Sequence, residues 1–483
     1  MRRFQKNPGA SSLAATKPAN EGIDTNLAIE SMTIDQVLTG RFVPSLEEEV
    51  VALQEADELQ QTADADVAET TRVEDVTDVM LNVADTLEGA EEITPQQAQL
   101  VDTASEMAVA GSDGDPDDVI PSAADVVEGN VSLESFVDDI RKRAAEIWAR
   151  IRQFCLEIWN TIKDFFRKIF HAAPRLLARV KELREQVAAK KKMYGTGAAA
   201  PAVETVTLSV GHGPVSYPEY MVRNAKELGK GLTELSNLAK YAFGNYLKDC
   251  KAMGDQVAAE LKKYDPKNAA AALKTVAVGL QKNNFTNWSG NPPTGYLGCF
   301  DVIPSKLDKN KTKDLSDAQI VAALRSSGMR IEARHGGGGF INTHNQGFAT
   351  MTFAEMEQVL TAVEGLVKQI IAFESSSDGK ALEKTRQDLL DGGNHASSEV
   401  GKLQGNDDAG KMERAYALDV MKSLMNFNTS LTRWMTELTM PVTKKLYQTC
   451  RSALVLVDKS LSTFKPISAG ASSAAATGGG IAS

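Results

Sequence analysis

The sequence predicts a mostly α protein: a long-helix bundle with a small β-hairpin insertion, preceded by a disordered acidic leader. Three observations carry that reading. Apolar residues recur in 4-3 steps over several long stretches, the period of one helix face. A small region, about 296–343, reads as short strands around a glycine turn. The first 134 residues hold six Lys or Arg against 29 Asp or Glu, with no Trp or Tyr and two Phe. Such a composition buries too little apolar surface to fold unaided.

In chain order, residues 1–134 form the leader, with net charge −23 against +12 for residues 135–483. The two parts attract each other, and the basic part alone seeks polyanions. Val50–Leu59 and Val73–Leu87 are short helical candidates within the leader. Gly111–Asp118 has the acids of a calcium loop but lacks its regular ligand spacing and distal Glu.

The pattern changes at Ser135. Ala144, Trp148, Ile151, Cys155, Ile158, Ile162, Phe165 and Ile169 form an apolar stripe, with Phe136, Ile140, Ile147, Phe154, Trp159, Phe166 and Phe170 widening it. Arg143, Arg150, Lys163, Arg167 and Lys168 lie outside that stripe. Pro174 is expected to break or kink the helix, and a more basic helix with Arg175 and Arg179 follows to Lys192. This amphipathic unit spans 135–193. About a dozen large side chains, at about 1.5–3 kcal/mol each, drive it toward burial. Trp148, Ile151, Ile158, Ile162, Phe165 and Ile169 are therefore read as a core or oligomer seam. An in-plane membrane helix is the second reading.

Residues 194–217 read as a small-residue linker with one short strand, Glu204–Val210, and 218–465 as a helical domain. Helical periodicity covers Met221–Tyr246, Lys251–Tyr264 and Asn268–Leu280. Tyr296–Ile303 and Met329–Arg334 read as strands, and the tetraglycine turn after His335 leads into Phe340–Thr343. Ser316 with Gln319, and Thr352 with Glu355, have capping-box spacing. After a polar, Gly-rich interval, Glu374–Gly410, the longest helical pattern runs from Tyr416 to Phe464, with a kink or split expected at Pro441. Residues 466–483 read as a flexible tail.

Catalytic and metal signals are weak. Cys299, Asp301, His335 and His344 match no standard ligand spacing. The tetraglycine enters a strand, whereas phosphate loops enter a helix. No cofactor is expected, and the chain reads as a non-enzyme. Its four cysteines, Cys155, Cys250, Cys299 and Cys450, are widely separated, which argues against a disulfide framework. No apolar run approaches the 18 residues of a spanning helix.

One motif sits at the charge boundary. Ser132-Leu133-Glu134 precedes Ser135, and Ala28-Ile29-Glu30 precedes Ser31 in the same form. Small-x-Glu triplets are common, so it is the coincidence with the composition break that singles out Glu134. An acidic leader, this triplet and SLESFVDDIRKRAAEIWARIRQFCLEIWNTIKDFFRKIF together resemble the internal head proteins of giant phiKZ-like bacteriophages, most clearly over about 130–193. That resemblance implies a structural protein of the virion interior, assembled in the host cytoplasm and made with an acidic propeptide. A phage prohead protease would cut after Glu134, at the site formed by Ser132, Leu133, Glu134 and Ser135, with Ala28, Ile29, Glu30 and Ser31 as a secondary site. The implied partners are other internal head proteins and packaged DNA, and a homo-oligomer is expected. Arg143, Arg150, Lys163, Arg167, Lys168, Arg175 and Arg179 are the candidate contacts for non-specific DNA binding. The competing readings are a membrane-active ejection protein using Phe136–Phe170 and an enzyme built around Cys299 and His335.

Overall fold

A computed structural model describes residues 46–87, 131–194, 225–282, 300–304, 316–326, 328–333, 350–374, 377–403 and 408–464, with isolated positions between 94 and 128. The expected linker beyond Tyr194, which ends a helix, and the expected tail and strand Glu204–Val210 lie outside the described residues.

The acidic leader is not uniformly unstructured. Leu46–Leu87 is a single 42-residue helix, α1. Its inward positions, Ala56, Gln60, Ala63, Val67, Thr70, Glu74, Thr77, Leu81 and Ala84, step 4-3 and are all buried. Four of the nine are polar, so the apolar pattern alone breaks into the two short pieces seen in the sequence. The Thr70 and Thr77 hydroxyls donate to the carbonyls of Asp66 and Val73, each at 2.7 Å. Their polarity is satisfied within the helix, which makes burial tolerable.

Helix α2, Leu133–Tyr194, runs 62 residues, about 93 Å at helical rise. It continues through Pro174, where a break or kink was expected. Proline deletes one backbone hydrogen bond, but buried Ala172, Ala173, Leu176 and Leu177 clamp both flanks. Glu55 pairs with Lys168 at 2.7 Å, while Leu87 shares a core with Phe136. The two helices therefore run antiparallel.

The remaining helices wrap the C-terminal two thirds of α2. They are α3 (Ala225–Lys240), a π-helical turn (Tyr241–Tyr246), α4 (Leu247–Lys262), α5 (Ala269–Lys282), α6 (Asp317–Ser326), α7 (Phe353–Glu374), α8 (Ser377–Gly401), α9 (Asp408–Met425), α10 (Phe427–Trp434), a second π-helical turn (Met435–Thr439) and α11 (Met440–Ser462). Both capping boxes form: Ser316 N–H donates to Gln319 Oε1 at 2.9 Å, and Thr352 N–H to Glu355 Oε2 at 2.8 Å. Pro441 sits in the first turn of α11, directly after the π turn. The widened turn takes up the hydrogen-bond mismatch that proline imposes. Tyr246 O–H donates to the Trp434 carbonyl at 3.1 Å, tying the first π turn to the residue that leads into the second. Buried on nearly every side, α11 forms the centre of the bundle.

The expected β-hairpin is not supported. Strands β1 (Phe300–Pro304) and β2 (Met329–Ala333) pair antiparallel, with Phe300 opposite Ala333 and Pro304 opposite Met329. The capped helix α6 lies between them, so no tight turn joins them. Phe340–Thr343, expected to pair across the tetraglycine, lies outside the described residues.

The polar interval before α9 is also helical. It forms α8, whose Gly392 lets it meet α4 backbone to backbone. A Cβ at Gly392 would lie 2.8 Å from the Leu261 Cβ and 3.1 Å from the Ala258 carbonyl oxygen. Gly392→Val is expected to lose about 1–3 kcal/mol by overpacking. Gly365→Ala, where nothing lies within 4 Å, is expected to gain up to about 1 kcal/mol from helix propensity. Urea denaturation of the two variants tests the contrast.

Candidate functional site

Ser132 starts α2 as its cap. The Ser135 N–H donates to Ser132 Oγ at 3.1 Å, and the Phe136 N–H to the Ser132 carbonyl at 3.0 Å. Glu134 lies in the first turn, where the helix dipole favours a carboxylate. Ser132, Glu134 and Ser135 are exposed and Leu133 is half-buried. One turn further in, Phe136, Val137 and Ile140 are buried. The triplet thus occupies the last accessible turn before the chain enters the core, and helix ends fray there. Ala28, Ile29, Glu30 and Ser31 lie outside the described residues.

Two packed cores take up the apolar stripe of α2. Ile151 and Cys155 join Phe136, Val137, Ile140 and Ile147 against Val73, Met80, Val83, Ala84 and Leu87 of α1. Ile158, Ile162, Phe165 and Ile169 enter the main core with α3, α7 and α11. The Trp148 side chain lies outside the described residues. Apart from the half-buried Phe154, the apolar face that a membrane-surface helix would need is therefore covered by protein wherever it is described. Among the described residues, no helix is long and apolar enough to cross a membrane.

The structure does not bring the candidate DNA-contact residues into one open patch. Arg143 is buried and pairs with Glu146 at 3.0 Å. Lys163 meets Glu383 at 3.3 Å, Arg167 meets Asp164 at 2.9 Å, and Arg179 meets both Glu182 and Asp458. Arg175 is half-buried, and the Arg150 side chain lies outside the described residues. Lys163, Arg167 and Lys168 keep exposed side chains, and surface pairs of this kind exchange readily with a polyanion.

Sequence reading missed the seat of α1 on the basic body. Helix α1 carries one Arg against thirteen Asp or Glu, and its carboxylates are placed on specific cations. Glu55 pairs with Lys168, Asp57 with the buried Lys444, and Asp75 and Asp78 together clasp Arg325. At the centre, the Thr429 hydroxyl donates to the Glu74 carboxyl. Burial drives Glu74 up to about 8, against the opposing pull of Thr429 and Arg325 and with help from Asp78 and Asp75. Cys155, 3.4 Å from Thr429, is likewise pushed up by burial, to about 12, so it behaves as a small apolar residue. The 7-4 spacing of Ala56, Ala63 and Val67 was the available signal for this helix, masked by its polar partners.

Cys299, His335 and His344 lie outside the described residues, as does the Asp301 side chain. Among the described residues, no group of three or more His, Cys, Asp or Glu could hold a metal ion.

A family model described as phiKZ-like phage internal head proteins matches residues 47–459. No curated protein and no solved structure matches the chain.

Proposed function

From the premise that the chain belongs to the phiKZ-like phage internal head proteins, we propose that it is a structural precursor trimmed after Glu134, whose basic body packs with DNA. As a member of that family it lies inside the phage head, in association with other head proteins. The observation that carries the finer reading is the coincidence at one point of the chain: a small-x-Glu triplet, exposed in the first turn of α2, divides a net −23 leader from a net +12 body.

The body's structural role rests on its shape. The matched residues run from the first turn of α1 to the last turn of α11, so the family module is the helical bundle itself, leader helix included. Cutting after Glu134 separates the acidic and basic parts covalently. Cutting after Glu30 would change little, because residues 1–30 hold four basic and three acidic side chains.

Peptide mapping of the protein from mature particles tests the cut. A semi-specific peptide beginning at Ser135 is expected. Intact peptides spanning Val131–Arg141 at full abundance would end the proposal. Once the leader is displaced, residues 135–483 are expected to bind duplex DNA without sequence preference. Affinity should fall steeply as salt rises, because counterions are released. Absence of binding at low ionic strength, measured by fluorescence anisotropy, would remove DNA from the list of partners.

A further inference from the structure

We propose that α1 is a self-docking subunit: after a cut at Glu134 it stays seated on the body, and the processed protein is a two-piece complex. This rests on the processing proposed above, but its physical basis is independent of where the chain is cut between α1 and α2.

The fully buried residues of the second core all come from α1 and the N-terminal part of α2, with Ala98, Val126 and Val131 packed against them. Val73, Met80, Val83, Ala84 and Leu87 come from one side, and Phe136, Val137, Ile140, Ile147, Ile151 and Cys155 from the other. If α1 left, both halves would be stripped, and Phe136 and Ile140, now fully buried, would face water. Ala56, Ala63 and Val67 also enter the main core, so the helix is anchored over both of its halves. The polar contacts follow the same division. Glu55 and Asp57 hold Lys168 and Lys444 near the N-terminal end, while Asp75 and Asp78 hold Arg325 nearer the C-terminal end.

An interface with apolar contacts over both halves of α1 and flanking ion pairs does not need the peptide link to persist. The link supplies only effective concentration. Breaking it therefore leaves the acidic helix over its cations, and Lys168 remains paired with Glu55 until something displaces the helix. Processing and unmasking become two separate events, the second being competition between α1 and a polyanion.

The test places a recognition sequence for a site-specific protease between Gly111 and Asp118 of the full chain. The chain is cut in vitro and examined by size-exclusion chromatography and native mass spectrometry. Unchanged elution, with both pieces present one to one and separating only in denaturant, is the expected result. A leader fragment that elutes alone, whether the body stays soluble or aggregates, would overturn the proposal. The double variant Asp75→Lys with Asp78→Lys, cut in the same way, should exchange its leader about tenfold faster, as like charges then face Arg325. Equal exchange rates would overturn the role given to those pairs. Because the cut is made by an added protease, these outcomes are independent of whether particles contain a Ser135 terminus.

Discussion

Replacing Ile158 by Asp is expected to abolish the soluble folded protein. Ile158 is 1% exposed, at the end of the main core where α1 and α2 meet the rest of the bundle. The substitution loses the burial of a large aliphatic side chain, worth about 1.5–3 kcal/mol. It also puts a carboxylate among the apolar side chains of the main core. An unpaired buried charge costs several kcal/mol more or forces the group to take up a proton. The sum approaches the whole stability of an ordinary domain. Ile158→Val, which removes one methylene, should lose only about 0.5–1.5 kcal/mol and remain soluble. Circular dichroism and the soluble yield of the two variants provide the measurement. Normal assembly of the Asp variant would mean that the seam is not the core, and insertion of the parent protein into liposomes would then put the membrane-surface reading of Phe136–Phe170 in its place.

Raising the pH is expected to destabilise the protein between about 4.5 and 8, and Glu74→Gln should remove much of that loss. In the unfolded chain Glu74 ionises near 4.5, whereas in the fold burial holds the proton up to about 8. Between those values the unfolded state binds fewer protons than the folded one, so stability falls as pH rises. Below the window both states are protonated, and above it both are ionised, so the contribution is flat on each side. A shift of this size corresponds to on the order of 5 kcal/mol at full extent. A Gln at this position still offers a carbonyl to the Thr429 hydroxyl and never ionises. The variant should match the parent near pH 4 and exceed it near pH 8, measured by urea denaturation at each pH. Parallel profiles for the two proteins would show that Glu74 is not the titrating group.

Both predictions depend on the pairing of α1 with α2, and the two helices differed in how far the sequence disclosed them. The α2 stripe was legible because Ile151, Ile158, Ile162, Phe165 and Ile169 are large and apolar, so their spacing alone marks a face. The capping boxes at Ser316 and Thr352 were legible because each is a local geometry, complete within four residues. The candidate cut at Glu134 was legible as a composition break, and the structure adds that Ser132 caps the helix there.

The acidic helix was only half legible, because Gln60, Thr70, Glu74 and Thr77 occupy its inward face. Such residues are buried only where a partner surface is ready for them, and that surface includes Thr429 and Arg325, several hundred residues away. The same holds for α8, whose Gly392 reads as a loop residue until α4 lies close enough to require it. It holds for Pro174, whose lost hydrogen bond is offset by packing on both sides. By itself, then, the sequence determined that this protein is a helical bundle, where its basic body begins and which face of α2 seeks cover. The tertiary structure decided what provides that cover and which cations are already paired. The physical reason is that apolar periodicity is a local property, whereas burying a Thr, a Gly or a carboxylate depends on partners brought together only by the fold.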